Sequence, residues 1–455
     1  MNQEAIRDAR SLGAPKMLLL GLQHMFAMFG ATVLVPVLTG LSVSTTLMFA
    51  GLGTLLFHLI TKRKVPAFLG SSFAFLGGYA AIAPMLADEA GNFTLPNLEM
   101  LPYASFGVAC AGLLYLVLAL LFKVFGPQKV MRYFPPIVTG PIIIAIGLTL
   151  SQSAIANCSA NWLVAVVAIA VVICFNIWGK GMAKIIPILL GVVVSYVISM
   201  IVDAPTRENL VKTVSEAAWI GFPVVWSRTA FSIFGEGFNG GLLLTSIITI
   251  MPIALATMVE HIGDVCAISS TVGENYVADP GLHRTLTGDG LATALAALFG
   301  APANTTYGEN TGVLALTKVY DPRVIRLAAA FAVVLSFCPK FAALIVAMPT
   351  ATIGGVSLVL YGMISAVGVR NVVENQVDFT KSRNVIIAAL ILVLAIGIKY
   401  NGAGTIDIPV GSITISLSGL AVAALVGIIL NAVLPGKDYE FQKDSEGSTA
   451  VNFKV

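Results

Sequence analysis

Apolar residues recur along the chain in long runs separated by short polar connections. Clear runs cover residues 17–39, 43–61, 102–124, 134–153, 161–179, 183–202, 240–265, 324–345, 348–369, 384–400 and 411–434. About 20 apolar residues carry a helix across the hydrocarbon core of a bilayer, so each run predicts a membrane-spanning helix. Three weaker runs, 66–86, 286–300 and 304–318, bring the predicted total to fourteen.

Two of the weak runs share a design. Residues 66–86 read PAFLGSSFAFLGGYAAIAPML and residues 304–318 read NTTYGENTGVLALTK. In each, turn-forming residues lead to paired hydroxyl residues, an aromatic and a run rich in small residues. Ser71-Ser72-Phe73 aligns with Thr305-Thr306-Tyr307. Each predicts a short extended strand followed by a half-helix, forming spans 3 and 10 of an all-α polytopic membrane protein. Fourteen spans then divide into two repeats of seven, and an odd number per repeat makes the repeats inverted. Matching interrupted segments in inverted halves point to a transporter binding site near the membrane midplane. Extended backbone at that depth must be buried in protein or line a cavity. Two half-helix N-termini would present free N–H groups there. The plainer alternative is that the small residues only permit close helix packing.

Composition agrees with the hydropathy pattern. The chain is 57% hydrophobic and 11% charged, with a mean hydropathy of +0.91. Soluble domains carry about 25% charged residues, so composition points to an integral membrane protein. Lysine and arginine cluster in alternate connections: Lys62–Lys64; Lys123 to Arg132; Lys180 and Lys184; Arg284; Lys318 to Arg326; Arg370 to Arg383. Under the positive-inside rule this predicts an even number of spans with both termini in the cytoplasm; the expected location is a bacterial-type plasma (inner) membrane. Residues 1–16 form a polar N-terminus without a signal-peptide core, and 435–455 form a polar tail. The five scattered cysteines read as small hydrophobes. No phosphate-binding GxxxxGK[ST] loop, Ser-His-Asp constellation or zinc motif is present, so no enzyme activity and no cofactor beyond a coupling ion are expected. The bilayer is the expected surrounding, and no nucleic-acid partner is expected.

The acidic residues sharpen this picture. Four fall within predicted spans: Glu260, Asp264, Asp289 and Glu309. A carboxylate at the bilayer centre costs at least about 2.5–3.5 kcal/mol, so four together argue for function. Glu309 falls in the first turn of its half-helix, where the dipole favours a charged group that binds substrate N–H groups. Glu260 and Asp264, four residues apart, share a helix face, and two close carboxylates hold one proton between them. That is the chemistry of a proton-coupled carrier. Asp289 reads either as a coupling group or as a helix cap. His24, His58 and His261 read as structural histidines, with a relay role open for His261. The implied substrate is small and planar, a cyclic imide or amide, with Phe73 and Tyr307 offering ring faces.

At these residues the sequence resembles the nucleobase–ascorbate transporter family, also called the nucleobase–cation symporters. The signature Gln/Glu-Asn-x-Gly-x-x-x-x-Thr-Lys/Arg matches Glu309 through Lys318. QHMFAMFGATVLVP (23–36), PAFLGSSFAF (66–75), EHIGD (260–264), DPGLHR (279–284), NTTYGEN (304–310) and GGVSLVLYG (354–362) extend it. The form NTTYGENTGV looks like the uracil permease branch. The resemblance implies a core domain from residues 17–124 (spans 1–4) and 240–345 (spans 8–11). It implies a gate domain from 125–203 (spans 5–7) and 346–434 (spans 12–14). It implies elevator-type uracil import by proton symport, as a homodimer. Glu260 and Glu309 become substrate-binding carboxylates, Phe73 and Gly308 backbone donors, and Ala31, Tyr307 and Tyr361 pocket lining. Asp264 stands where the uracil branch often has His, and Asp289 where it often has Asn. Both aspartates look like the purine-transporting branches, so a xanthine or uric acid symporter, or mixed specificity, is the alternative. The proton-coupling residues are then Asp264, Glu260 and Asp289. An anion exchanger or channel of the related inverted-repeat fold is the different-class alternative, against which a carboxylate-rich site counts.

Overall fold

The computed structural model describes residues 5–87, 93–235, 237–402, 404–410 and 413–436. The predicted tail lies outside the described residues from residue 437 on, as do Asp88 and Glu89. The fold is mostly helical. Among the described residues seven helices are long and apolar enough to cross a membrane, or nine if each of two sharply bent pairs counts as one span. The bent pairs are Pro187–Val202 with Ala204–Glu216, at 114°, and Pro322–Ser336 with Pro339–Val346, at 88°. Trp162–Trp178 and Gly419–Val433 are shorter apolar helices.

Sequence-local chemistry starts several helices. Asn161, Asn239 and Ser418 cap the helices that follow them with side-chain oxygens. The apolar run from 411 departs from a simple span. Its first part alternates as Ile-Thr-Ile-Ser-Leu-Ser, a period of two, and forms strand Ile413–Ser418 paired antiparallel with Thr405–Val410. The helix starts only at Gly419.

The helices fall into two packing groups. In one, Leu101–Phe125 lies along Leu282–Leu298, and Val43–Ile60 lies against both Pro322–Ser336 and Leu282–Leu298. The first crossing is close because glycines face each other: a Cβ on Gly112 would stand 2.6 Å from the Gly290 carbonyl oxygen. In the other group, Thr350–Glu374 packs along Pro136–Cys158 and Trp162–Trp178, with Ser382–Lys399 and Gly419–Val433 beside Pro136–Cys158.

The N-terminal segment is tied to the first group. Ile6 bridges the chain after the second broken segment, its N–H donating to the Lys318 carbonyl and its carbonyl accepting from Tyr320. The Ala9 N–H donates to the buried Asp321 carboxylate at 2.8 Å. Arg7 pairs with Glu274, Lys64 with Asp279 and Arg323 with Asp8. Basic residues far apart in sequence therefore gather at one end of this group.

Candidate functional site

The two broken segments meet. Strand Leu69–Ser71 pairs antiparallel with strand Asn304–Thr306, in the register Leu69 to Thr306, Gly70 to Thr305 and Ser71 to Asn304. Two further backbone bonds extend the ladder, from Ser72 N–H to the Ala303 carbonyl and from Tyr307 N–H to the Phe68 carbonyl. Extended backbone buried this deeply must find partners inside the protein. Neighbouring side chains supply them. The Thr54 hydroxyl accepts from the Leu69 N–H at 2.9 Å, and the Thr293 hydroxyl donates to the Asn304 carbonyl at 2.8 Å. Asn304 itself donates to the Phe49 carbonyl. Gly70 is required at the crossing: a Cβ there would stand 2.5 Å from the Tyr307 ring.

Each strand leads into a short helix, Leu76–Ile82 and Gly308–Thr317, and neither has a side-chain cap. Glu309 sits in the first turn of the second. Gly308 and Gly312 are exposed, and a Cβ on either would meet no atom within 4 Å. This face of the half-helix therefore borders open space. Asn310, on another face, is buried and donates to both the ring Nδ1 and the carbonyl of His24, at 3.1 Å each. His58 braces the Ala67 carbonyl through Nε2 at 2.9 Å.

The aromatic residues divide their work. The Tyr307 hydroxyl donates to the Ser71 carbonyl at 2.8 Å and accepts from Thr32 at 3.3 Å. Tyr307 thus cross-links the strands and is buried, its ring against Gly70 rather than freely presented. Ala31 is buried one residue from Thr32. Phe73 meets Tyr361 edge to face, with ring centroids 5.7 Å apart. That contact joins the first broken segment to helix Thr350–Glu374 of the other packing group.

The carboxylates come from helices Ala254–Val272 and Leu282–Leu298 and the second half-helix. Glu260, Asp264 and Glu309 are partly exposed, and Asp289 is fully buried. Glu260 and Asp264 lie four residues apart on one helix. Thr306 donates its hydroxyl proton to Asp264 Oδ2 at 2.7 Å. His261 Nδ1 lies 3.2 Å from Asp289 Oδ2, with both side chains fully buried. Asp289 does not cap its helix: the helix begins at Leu282, and Asp289 lies two turns inside it. Sequence reasoning misses Thr306 and the His261–Asp289 contact. Thr306 is visible only as one of the aligned hydroxyl pairs. Among the described residues no group of three or more His, Cys, Asp or Glu side chains is arranged to hold a metal ion.

The Permease family matches residues 15–402 of this chain. The uracil permease of Bacillus caldolyticus is 39% identical over 95% of this chain and 94% of its own length. The uracil permease of Bacillus subtilis (strain 168) is 38% identical over 93% of this chain and 94% of its own. The fold is shared with the transmembrane domain of a cyanobacterial bicarbonate transporter, BicA. That similarity has a TM-score of 0.55 at 17% identity and covers 94% of this chain and 99% of that one.

Proposed function

The chain belongs to the Permease family of nucleobase–ascorbate transporters, and from that premise we propose that it imports uracil by proton symport with elevator-type alternating access. It is a multi-pass membrane transporter, not an enzyme. The observation that carries the substrate reading is the uncapped half-helix at Gly308, with Glu309 in its first turn and open space before it. Uracil is planar, with N–H donors and carbonyl acceptors around one ring. Glu309 and Glu260 accept from the N–H groups, and the backbone N–H groups of Gly308 and Phe73 donate to the carbonyl oxygens. Ala31, Tyr307 and Tyr361 close the pocket. The uracil permeases among the relatives support the same substrate.

Fourteen spans in two inverted repeats are part of this reading. The nine spans counted above, the two shorter apolar helices, Leu282–Leu298 and the two broken segments supply them. The two packing groups support a core domain that carries the site and a gate domain that faces it at the Phe73–Tyr361 contact. In an elevator cycle the core slides against that contact. The gathering of Arg7, Lys64, Arg284 and Arg323 at one end supports a cytoplasmic N-terminus, fourteen spans return the C-terminus to the same side, and the membrane of this reading is a bacterial-type inner membrane. Asp264, beside Glu260 on one helix face, takes the coupling proton; Asp289 lies behind it. A homodimer is the assembly the family resemblance supports.

The test is uptake of labelled uracil into proteoliposomes, with and without an inward proton gradient and with xanthine as competitor. Uptake that rises with the gradient and resists xanthine is expected. Uptake indifferent to the gradient removes proton coupling, and transport of xanthine without uracil removes the substrate assignment.

A further inference from the structure

Asp289 is the one carboxylate of the cluster that is sealed from open space. Among the described residues its Oδ2 lies within reach of one group, His261 Nδ1 at 3.2 Å, and its Oδ1 has no hydrogen-bond partner. His261 is equally sealed. Its ring lies edge-on to Phe57, with centroids 6.2 Å apart, and its Nε2 has no partner among the described residues. Among those residues only Nδ1 faces polar groups. They are Asp289 from the neighbouring helix and, at 3.5 Å, the hydroxyl of Thr306 from the paired strand. Thr306 in turn bonds Asp264, which is partly exposed. Glu260 and Cys266 on the same helix, Glu309 on the half-helix and Tyr115 on helix Leu101–Phe125 are the other titratable groups around the two aspartates.

We propose that Thr306 and His261 form a proton relay joining the partly exposed Asp264 to Asp289 in the sealed interior. The step balances without an outside reagent. Protonated Asp264 gives its proton to Thr306 Oγ1. Thr306 gives its own hydroxyl proton to the bare Nδ1 of His261, whose Nε2 carries the ring proton. Nδ1 then passes a proton to Asp289 Oδ2. One O–H bond is broken at Asp264 and one is formed at Asp289, while Thr306 and His261 return to their starting forms. The 2.7 Å contact between Thr306 Oγ1 and Asp264 Oδ2 is the path for that first transfer. The relay places a second station for the coupling proton out of reach of the substrate. Thr306 and His261 carry the proton in this scheme without touching the substrate. Placing Thr306 in the paired strand ties proton movement to the same backbone that leads into the Glu309 half-helix.

This inference rests on the proton-symport reading, and the experiment separates the two. Reconstituted full-length protein is given labelled uracil under an inward gradient of one pH unit. One proton per substrate then supports accumulation of up to about tenfold, a pH unit being a factor of ten. Wild type that ignores the gradient overturns both readings. If wild type responds, Thr306→Val is expected to lose most of that accumulation, because it keeps the volume of threonine and removes the hydroxyl. Thr306→Ser, which restores the hydroxyl, is expected to recover it to within about twofold of wild type. Asp289→Asn is expected to lose accumulation as Thr306→Val does, and the double variant to lose no more than either alone. Uracil-dependent thermal stabilisation of each purified variant shows that it is folded. Wild-type accumulation by Thr306→Val or Asp289→Asn overturns the relay and leaves proton symport standing. So does failure of a folded Thr306→Ser to recover.

Discussion

The two broken segments are built alike and equipped differently. Both run from a three-residue strand into an uncapped short helix, and the strands pair with each other. Aligned on Ser71-Ser72-Phe73 and Thr305-Thr306-Tyr307, Phe75 falls opposite Glu309 and Gly78 opposite Gly312. Phe75 is buried in the core, whereas Glu309 stands at the edge of open space. A Cβ on Gly78 would touch Ile253 and Ile250 at 3.0 and 3.1 Å, whereas one on Gly312 would touch nothing. At these aligned positions the first half-helix is a packed wall and the second a working surface, while Gly77 of the first also borders open space. All four intramembrane carboxylates come from the second half of the chain. A shared backbone plan locates the site, and the departure from that plan supplies its chemistry.

The comparison breaks most sharply at Glu309. Glu309→Gln removes a charged acceptor and turns an amide N–H toward substrate N–H groups. A hydrogen bond to a charged group contributes about 1.5–3 kcal/mol, so uracil affinity is expected to fall by about 10- to 100-fold. Equilibrium binding of labelled uracil to the purified protein measures it, and unchanged affinity would remove Glu309 from the substrate. Asp264→Asn is the next largest effect and acts on a different quantity. Binding should stay measurable while accumulation stops following the gradient, a loss of up to about tenfold across one pH unit. If accumulation by this variant still tracks pH, the coupling proton is carried elsewhere.

Much of this was legible in the sequence because membrane insertion leaves a strong signature. Hydropathy marks the spans, and a charge in an apolar run is conspicuous; Glu260, Asp264, Asp289 and Glu309 stand out for that reason. The likeness of the two weak runs is also readable, since hydroxyl pairs, aromatics and glycines occupy matching places. The register of Leu69 with Thr306 is not readable, because it depends on two segments more than 200 residues apart crossing at one angle. The partner of His261 is hidden for a related reason. A residue next to Glu260 on a helix points about a third of a turn away from it. Its role is set by what the adjacent helix places there, which is Asp289. The final apolar run misleads locally, since an alternating Ile-Thr-Ile-Ser pattern carries the hydropathy of a span and the period of a strand.

Gly312 and Gly78 give the smallest effects and the cleanest contrast. Alanine is a better helix former than glycine, so neither substitution is opposed by propensity. At Gly312 the added methyl group enters space that no protein atom borders, so the melting temperature should hold. If uracil fills that space, a misplaced methyl group costs about 1–3 kcal/mol of binding, and affinity should fall roughly tenfold. At Gly78 the same methyl group presses on Ile250 and Ile253, whose flexible ends can give way. Overpacking of that kind costs about 1 kcal/mol of stability, so the protein should melt slightly lower with uracil affinity within about twofold of wild type. A binding isotherm and a thermal melt on each variant resolve the two. Equal losses of affinity would mean that both half-helices hold the substrate, and the division into wall and working surface would fall. Loss of stability at Gly312 without loss of affinity would place the substrate away from the second half-helix, because only an unoccupied and tightly closing space could produce it.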